Sequence, residues 1–189
     1  NGRRDLRAEL QEVAGTHELH ELPVEVDLAR HGGLALVGGD ERPTDVARSL
    51  VLQAVTAVGP DHLRPVVLAA PHRRSRWTWT EWLPELPSRG AQQRLLVVDG
   101  AHDADVSAAL TATGSGPPSA VVWIANTTTG LPAGLAQVVT FEGDDVVLRC
   151  QDGEGRVVRR VVGIEPDVLS DDEALLAARR LGRLRPAGS

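Results

Sequence analysis

The chain has no lysine: all twenty of its Lys/Arg positions are arginine. Any mechanism that needs a lysine ammonium is therefore excluded by inspection. Methionine is absent too, and the chain begins at Asn1, so it is expected to be a piece of a longer protein. Any membrane segment of the parent would then lie outside these residues. The single cysteine, Cys150, cannot make an internal disulfide, which fits a reducing compartment. No apolar run approaches the length that spans a bilayer, and no signal peptide is visible. An excess of positive charge is also missing. The net charge of -6 argues against a nucleic-acid binder that works by neutralising phosphates, while leaving room for a local basic patch.

What is present is the composition of a folding chain. There are 189 residues, 42% of them apolar, with no dominant charge block. That is room for one core of ordinary size or at most two small ones. Leu6, Leu10 and Val13 stand at helical spacing, so Arg3–Val13 reads as a short amphipathic helix ended by Gly15. Leu22–Leu28 alternates apolar and polar residues and predicts a half-buried strand, at an edge because of Pro23. Leu34–Val37, Pro65–Ala70, Leu95–Val98 and Ala120–Ala125 are short apolar runs, as expected of buried strands. A helix opens at Pro43-Thr44-Asp45, with Thr44 or Asp40 as cap, and stops at Gly59-Pro60. A second, shorter one covers Asp103–Thr113. Between strands lies a loop rich in arginine and tryptophan: Arg73, Arg74, Arg76, Trp77, Trp79 and Trp82.

After Gly134 the pattern changes. Gln137–Phe141, Val146–Cys150 and Val157–Gly163 predict antiparallel strands joined by Gly- and Asp-rich turns. The last element is a helix with a Ser170/Glu173 capping box. Its apolar stripe of Ala174, Leu175, Ala178, Leu181 and Leu184 is expected to pack on the sheet. On that basis Leu181→Ala would cost about 2–5 kcal/mol. The rhythm of strands and helices predicts an α/β fold with a mostly parallel sheet. No internal repeat or long linker interrupts it, so residues 1–189 read as one domain, ending in a boundary-like Pro186-Ala187-Gly188-Ser189.

The run Leu34–Val37, its glycine loop and the helix after it occupy the place of a P-loop. In a working P-loop, backbone N–H groups cradle phosphates, a lysine reaches the β/γ-phosphates and Ser/Thr holds magnesium. With G-x-x-x-x-G-K-[ST] set on Gly38, the second glycine falls on Pro43, the lysine on Thr44 and the Ser/Thr on Asp45. Pro43 removes a donor, Thr44 brings no charge, and Asp45 joins Asp40 and Glu41 in making the loop anionic. Arg42 is the cation next to it, and Gly39 completes the turn. A plain β–loop–α connection, with no ancestry in phosphate binding, explains the same residues. Asp99 ends its apolar run like the aspartate that orients magnesium, but Gly100 follows where a catalytic carboxylate would be expected. His17 and His20 are three apart beside Glu18 and Glu21, but a metal site needs more ligands in fixed geometry, and a solvated segment accounts for them. The arginine and tryptophan loop has the side chains to stack bases or to anchor a protein partner. Cys150 reads as a small core residue. Asn126-Thr127-Thr128 matches a glycosylation sequon with no meaning in a bacterial cytosol.

Leu22-Pro23-Val24-Glu25-Val26-Asp27-Leu28, followed by His31-Gly32-Gly33-Leu34-Ala35-Leu36-Val37-Gly38, resembles the opening of FtsK/SpoIIIE-like domains in the EccC/EssC motors of type VII secretion. Trp77-Thr78-Trp79-Thr80-Glu81-Trp82-Leu83-Pro84 is similar to the W-x-W-x-x-W-L-P signature of those proteins, and Leu96–Gly100 matches their next strand. Gly163–Ser170, with the helix after it, resembles the end of the domain that follows the membrane helices and precedes the first full ATPase. That domain is known as a domain of unknown function, or ATPase zero. The resemblance runs in order along nearly the whole chain, but family members carry a longer stretch where only Glu85 to Gln93 stands here.

The resemblance implies a RecA-like sheet flanked by helices with a C-terminal antiparallel extension. It implies a degenerate P-loop-like domain on the cytoplasmic side of a bacterial inner-membrane motor, without catalysis. Its partners would be other domains of that motor and subunits of the secretion complex, with no nucleic acid and no membrane insertion by this segment. No cofactor is expected. ATP with magnesium enters only if an unusual loop binds nucleotide at Gly38, Gly39, Arg42, Pro43, Thr44, Asp45 and Asp99. Contact with DNA through Arg73, Arg74, Arg76, Trp77, Trp79 and Trp82 is the third alternative; the same six residues are the candidate docking surface.

Overall fold

A computed structural model of the chain describes residues 23–59, 62–84, 93–100, 106, 118–132 and 135–183. The expected helix Arg3–Val13, the His17/His20 segment, Leu184 and the tail Pro186–Ser189 lie outside the described residues. So does the expected helix Asp103–Thr113, except for Val106, which is helical and buried.

Ten elements are described. In chain order they are β1 (Gly33–Val37), α1 (Arg42–Val58), β2 (Leu63–Ala69), a 3-10 helix (Pro71–Trp82), β3 (Gln93–Asp99), β4 (Ala120–Ala125), β5 (Gln137–Glu142), β6 (Asp145–Gln151), β7 (Val157–Val161) and α2 (Asp171–Arg183). The seven strands form one sheet in the order β2-β3-β4-β1-β5-β6-β7. Neighbours from β2 to β5 pair in parallel; β6 and β7 are antiparallel additions. The fold is α/β and compatible with a RecA-like domain.

The apolar runs lie where burial on both faces demands them. β1, β3 and β4 are interior strands, and successive residues feed opposite faces. Leu34, Leu36, Leu95, Val97, Val122 and Ile124 point to the face covered by α1 and the 3-10 helix. Ala35, Val37, Leu96, Val98 and Trp123 point to the other, where Val106 joins them. Full burial of each such aliphatic side chain contributes about 1.5–3 kcal/mol. Gly33 opens β1 at a φ of 138°, and a Cβ there would collide with the Val121 carbonyl of β4.

Four expectations are corrected. Leu22–Leu28 forms no strand where it is described: residues 23–27 have no ladder, and 28–31 turn. The alternation is nonetheless used, since Val26 and Leu28 lean on the core while Glu25 and Asp27 face water. Second, β2 is not an interior strand. It lies at the sheet edge and is half-buried along most of its length, where Pro65 leaves no gap in a ladder. Third, β5 pairs in parallel with β1 and antiparallel only with β6, because the hairpin turn fixes one of its two sides alone. Fourth, the arginine and tryptophan segment is a 3-10 helix and not a loop. Pro71 starts it, and the Thr78 and Thr80 hydroxyls donate to the carbonyls of Ser75 and Trp77, three residues back.

α2 carries the expected capping box. Ser170 N–H and Oγ both donate to Glu173 Oε2, at 2.9 and 2.7 Å, and the Glu173 N–H returns to Ser170 Oγ at 3.4 Å. Its packing differs from expectation. α2 packs mainly on the 3-10 helix and on α1, and through them its buried alanines join the core on that face of the sheet. Ala174 and Ala178 are its fully buried residues, whereas Leu181 is half-buried. A Cβ on Gly182 would come within 2.6 Å of the Trp82 carbonyl oxygen, so glycine there permits the close approach.

Candidate functional site

In an open parallel sheet, ligands bind beyond the carboxyl ends of the strands. At that edge stand the turn after β1, Asp99 at the end of β3 with Gly100 after it, Asn126 after β4, and the 3-10 helix after β2. The two residue sets expected to be separate sites, the degenerate loop and the arginine and tryptophan segment, meet here.

Asp99 is fully buried, and both of its oxygens are engaged. Arg73 Nη1 donates to Oδ1 at 2.6 Å, and Trp77 Nε1 donates to Oδ2 at 2.9 Å. Arg73 also reaches Asn126 Oδ1 at 2.9 Å, so one guanidinium joins the ends of β3 and β4. Gly100, at a φ of 67°, has Arg73 lying across it: a Cβ would meet Arg73 Cδ and Nε at 3.2 Å. Both oxygens of Asp99 are thus met from within the same chain, one by a guanidinium and the other by an indole.

The glycine loop is four residues long, Gly38 to Glu41, because β1 ends at Val37 and α1 starts at Arg42. Gly38 is tightly held: a Cβ there would lie 3.0 Å from both Phe141 Cβ and Pro43 Cγ. Gly39 is open. The N–H groups that would face an anion at a helix start are taken or missing. Asp40 Oδ1 accepts from Arg42 N at 3.1 Å, and Pro43 has no N–H. Thr44 N and Asp45 N both donate to the Glu41 carbonyl, at 2.9 and 3.1 Å. Thr44 is therefore not the cap but a buried residue of the first turn, while Asp40 does bind a helix-start N–H. Arg42 is held by Asp40 at 2.8 Å and lies 5.7 Å from the Phe141 ring centre.

Arg42 is not the loop's only cationic neighbour. Arg76 Nη2 pairs with Glu41 Oε1 at 2.5 Å, tying the 3-10 helix to the loop. Arg48, 5% exposed, holds Asp45 Oδ1 at 2.6 Å and donates to the carbonyls of Arg76 and Leu169 at 3.4 Å. One buried side chain thus joins α1, the 3-10 helix and the segment leading into α2. Burial pushes the Asp45 carboxyl up from its ordinary value of 3.8; Arg48 opposes the shift and Glu41 adds to it.

Of the six candidate docking residues, only two face outward. Trp77 and Trp79 are buried with ring centres 6.1 Å apart, and Arg73 and Arg76 are held as above. Arg74 is exposed. Trp82 is 51% exposed with the Arg179 guanidinium 4.5 Å from its ring centre. Trp77 and Trp79 enter the same core cluster, on a backbone that is helical there and not extended. Sequence reasoning missed Arg48, Asn126 and Arg179. Arg48 had a signal: it occupies an apolar-stripe position of α1, with Thr44, Val51 and Val55 on the same buried face.

The site defines an α/β domain in which the edge beyond the carboxyl ends of the parallel strands is closed over by its own arginine and tryptophan helix. Sequence comparison adds a relationship. The chain is similar to ESX-4 secretion system protein EccC4 of Mycobacterium tuberculosis (strain ATCC 25618 / H37Rv), 27% identical over 185 residues, which is 95% of this chain and 14% of that protein. It is also similar to ESX-5 secretion system protein EccC5 of the same species (strain CDC 1551 / Oshkosh), 32% identical over 66 residues, 35% of this chain and 5% of that protein. The chain is thus EccC-like in sequence and spans a small part of the length of these relatives. No protein-family profile matches it. Among the described residues no helix is long and apolar enough to cross a membrane.

Proposed function

We propose that this chain is a non-catalytic structural or regulatory domain of a type VII secretion motor, linking the motor's membrane region to its ATPase domains on the cytoplasmic side. The observation that carries the reading is the engagement of both Asp99 oxygens by Arg73 and Trp77 in a fully buried position. A magnesium nucleotide does not fit this donor set. The aspartate presents no oxygen to solvent. The helix-start N–H groups are taken, and no lysine exists in the chain. The similarity to EccC4 along 95% of the chain supports the setting.

In this reading the partners are neighbouring domains of the same motor and other subunits of the secretion complex, met through the outward Trp82, Arg179 and Arg74. The two alternatives draw no support from the geometry. Atypical nucleotide binding would need Arg42 released from Asp40. Contact with DNA would need Trp77 and Trp79 exposed.

The test is made in the parent motor. Arg42→Ala is expected to leave secretion unchanged, and Trp82→Ala with Arg179→Ala to reduce it together with association of the neighbouring domain. Loss of secretion in Arg42→Ala with normal secretion in the Trp82/Arg179 variant would overturn the reading.

A further inference from the structure

On the helix-covered face of the sheet an open groove of about 840 Å³ runs between α1 and the antiparallel extension. Its floor is aliphatic: Leu36, Val46, Val139, Leu148, Val161 and Ile164. Pro23 and Val24 form part of the wall, and Arg159, Glu165 and Asp167 stand among the lining residues. Two of the lining valines, Val24 at 36% and Val162 at 58%, are exposed. An apolar depression of this size with exposed valines at its mouth is the form of a surface that receives another element.

We infer that this groove is the seat of the chain's own N-terminal segment, with Leu6, Leu10 and Val13 laid on the aliphatic floor. The inference is independent of the function proposed above. Three observations carry it. Pro23 lines the groove, so residues 1–22 start from its wall. Nine residues separate Val13 from Pro23, a reach of about 30 Å at about 3.3 Å per residue, so the tether holds the segment at high effective concentration. The sequence pattern fits, because Leu6, Leu10 and Val13 at i, i+4 and i+7 make one apolar stripe of three aliphatic side chains. The charges fit as well. Arg3, Arg4 and Arg7 outweigh Asp5 in the first half of the segment, and Glu9 and Glu12 stand in the second. The lining supplies Glu165 and Asp167 for the first and Arg159 for the second.

The test uses the full chain with Cys150→Ser and Gln11→Cys, a nitroxide spin label on the new cysteine beside the stripe, and methyl NMR spectra. The methyl signals of Val139, Leu148 and Val161 are expected to lose most of their intensity, while those of Leu96 and Val98, on the opposite face of the sheet, keep theirs. Equal intensities on both faces would overturn the proposal. Broadening produced by a labelled copy on an unlabelled one would overturn it too, by making the occupant a second chain. In parallel, Leu6→Asp with Leu10→Asp is expected to lower the denaturant midpoint and raise binding of a hydrophobic dye. An unchanged midpoint and unchanged dye binding would count against it.

Discussion

Trp77 donates its indole N–H to the Asp99 carboxylate at 2.9 Å, and neither residue is more than 3% exposed. Its neighbour Trp79 is equally buried, yet its Nε1 has no partner among the described residues. The two tryptophans of the signature therefore differ in kind: one anchors a buried charge, the other fills space. Trp77→Phe is expected to cost about 1–3 kcal/mol more than Trp79→Phe, because it removes a hydrogen bond to an ionised group. Denaturant midpoints of the two variants decide this, and equal losses would contradict the assignment.

Arg73 is the other half of that arrangement. Its side chain is 14% exposed against 0% for Asp99, so removing it leaves a buried carboxylate with one donor. Arg73→Ala is expected to destabilise by about 3–5 kcal/mol. Adding Asp99→Asn should recover part of the loss, since a neutral amide oxygen still accepts from Trp77. A double variant as unstable as the sum of the singles would show that the pair is not coupled.

Gly182→Ala sets two effects of opposite sign against each other. Alanine favours a helix interior by about 1 kcal/mol over glycine. At this position its Cβ would lie 2.6 Å from the Trp82 carbonyl oxygen, a backbone atom with little freedom to move. Overpacking costs about 1–3 kcal/mol, so the net change is expected to be destabilising. A melting temperature raised by the substitution would show that α2 does not rest on the 3-10 helix. Leu181→Ala, at a half-buried position, is expected to fall at the low end of the range for core truncations, about 2 kcal/mol.

Acid dependence follows from two carboxylates shifted in opposite directions. Hydrogen bonds from the Ser170 hydroxyl and N–H hold Glu173 below its ordinary value of 4.5. Its contribution is therefore present above the unfolded value and lost as pH falls through the lowered folded one. The stability gap between the native chain and Glu173→Ala should narrow over that interval. Asp45 is raised above 3.8 by burial, so its own contribution becomes more favourable as pH falls through the raised value. The gap between the native chain and Asp45→Asn should shift toward the native chain there. Denaturant titrations across the acid range check both signs.

The interior of the sheet was legible because β1, β3 and β4 are apolar on both faces, a pattern no surface element shares. The capping box was legible because Ser170 and Glu173 are local partners. Other features depend on what lies beside a segment. The alternation of Leu22–Leu28 is the same for a paired strand and for an extended segment leaning on the core. Nothing in β2 tells that only β3 pairs with it. The tryptophan segment mixes Arg, Ser and Thr with indoles at spacings that match neither a strand nor an α-helix. Its 3-10 form is supported by contacts from Asp99, Glu41 and Arg48, which are distant in sequence. At the polar edge, the sequence named Asp99, Arg73 and Trp77, but placed them in two sites.

Isothermal titration of the chain with Mg·ATP tests the central claim most directly. With the helix-start N–H groups of α1 taken, Asp99 engaged by Arg73 and Trp77, and Arg42 held by Asp40, no saturable heat is predicted up to millimolar nucleotide. A dissociation constant in the low micromolar range would contradict the account, and its loss in Arg42→Ala would assign the binding to the Gly38–Glu41 loop.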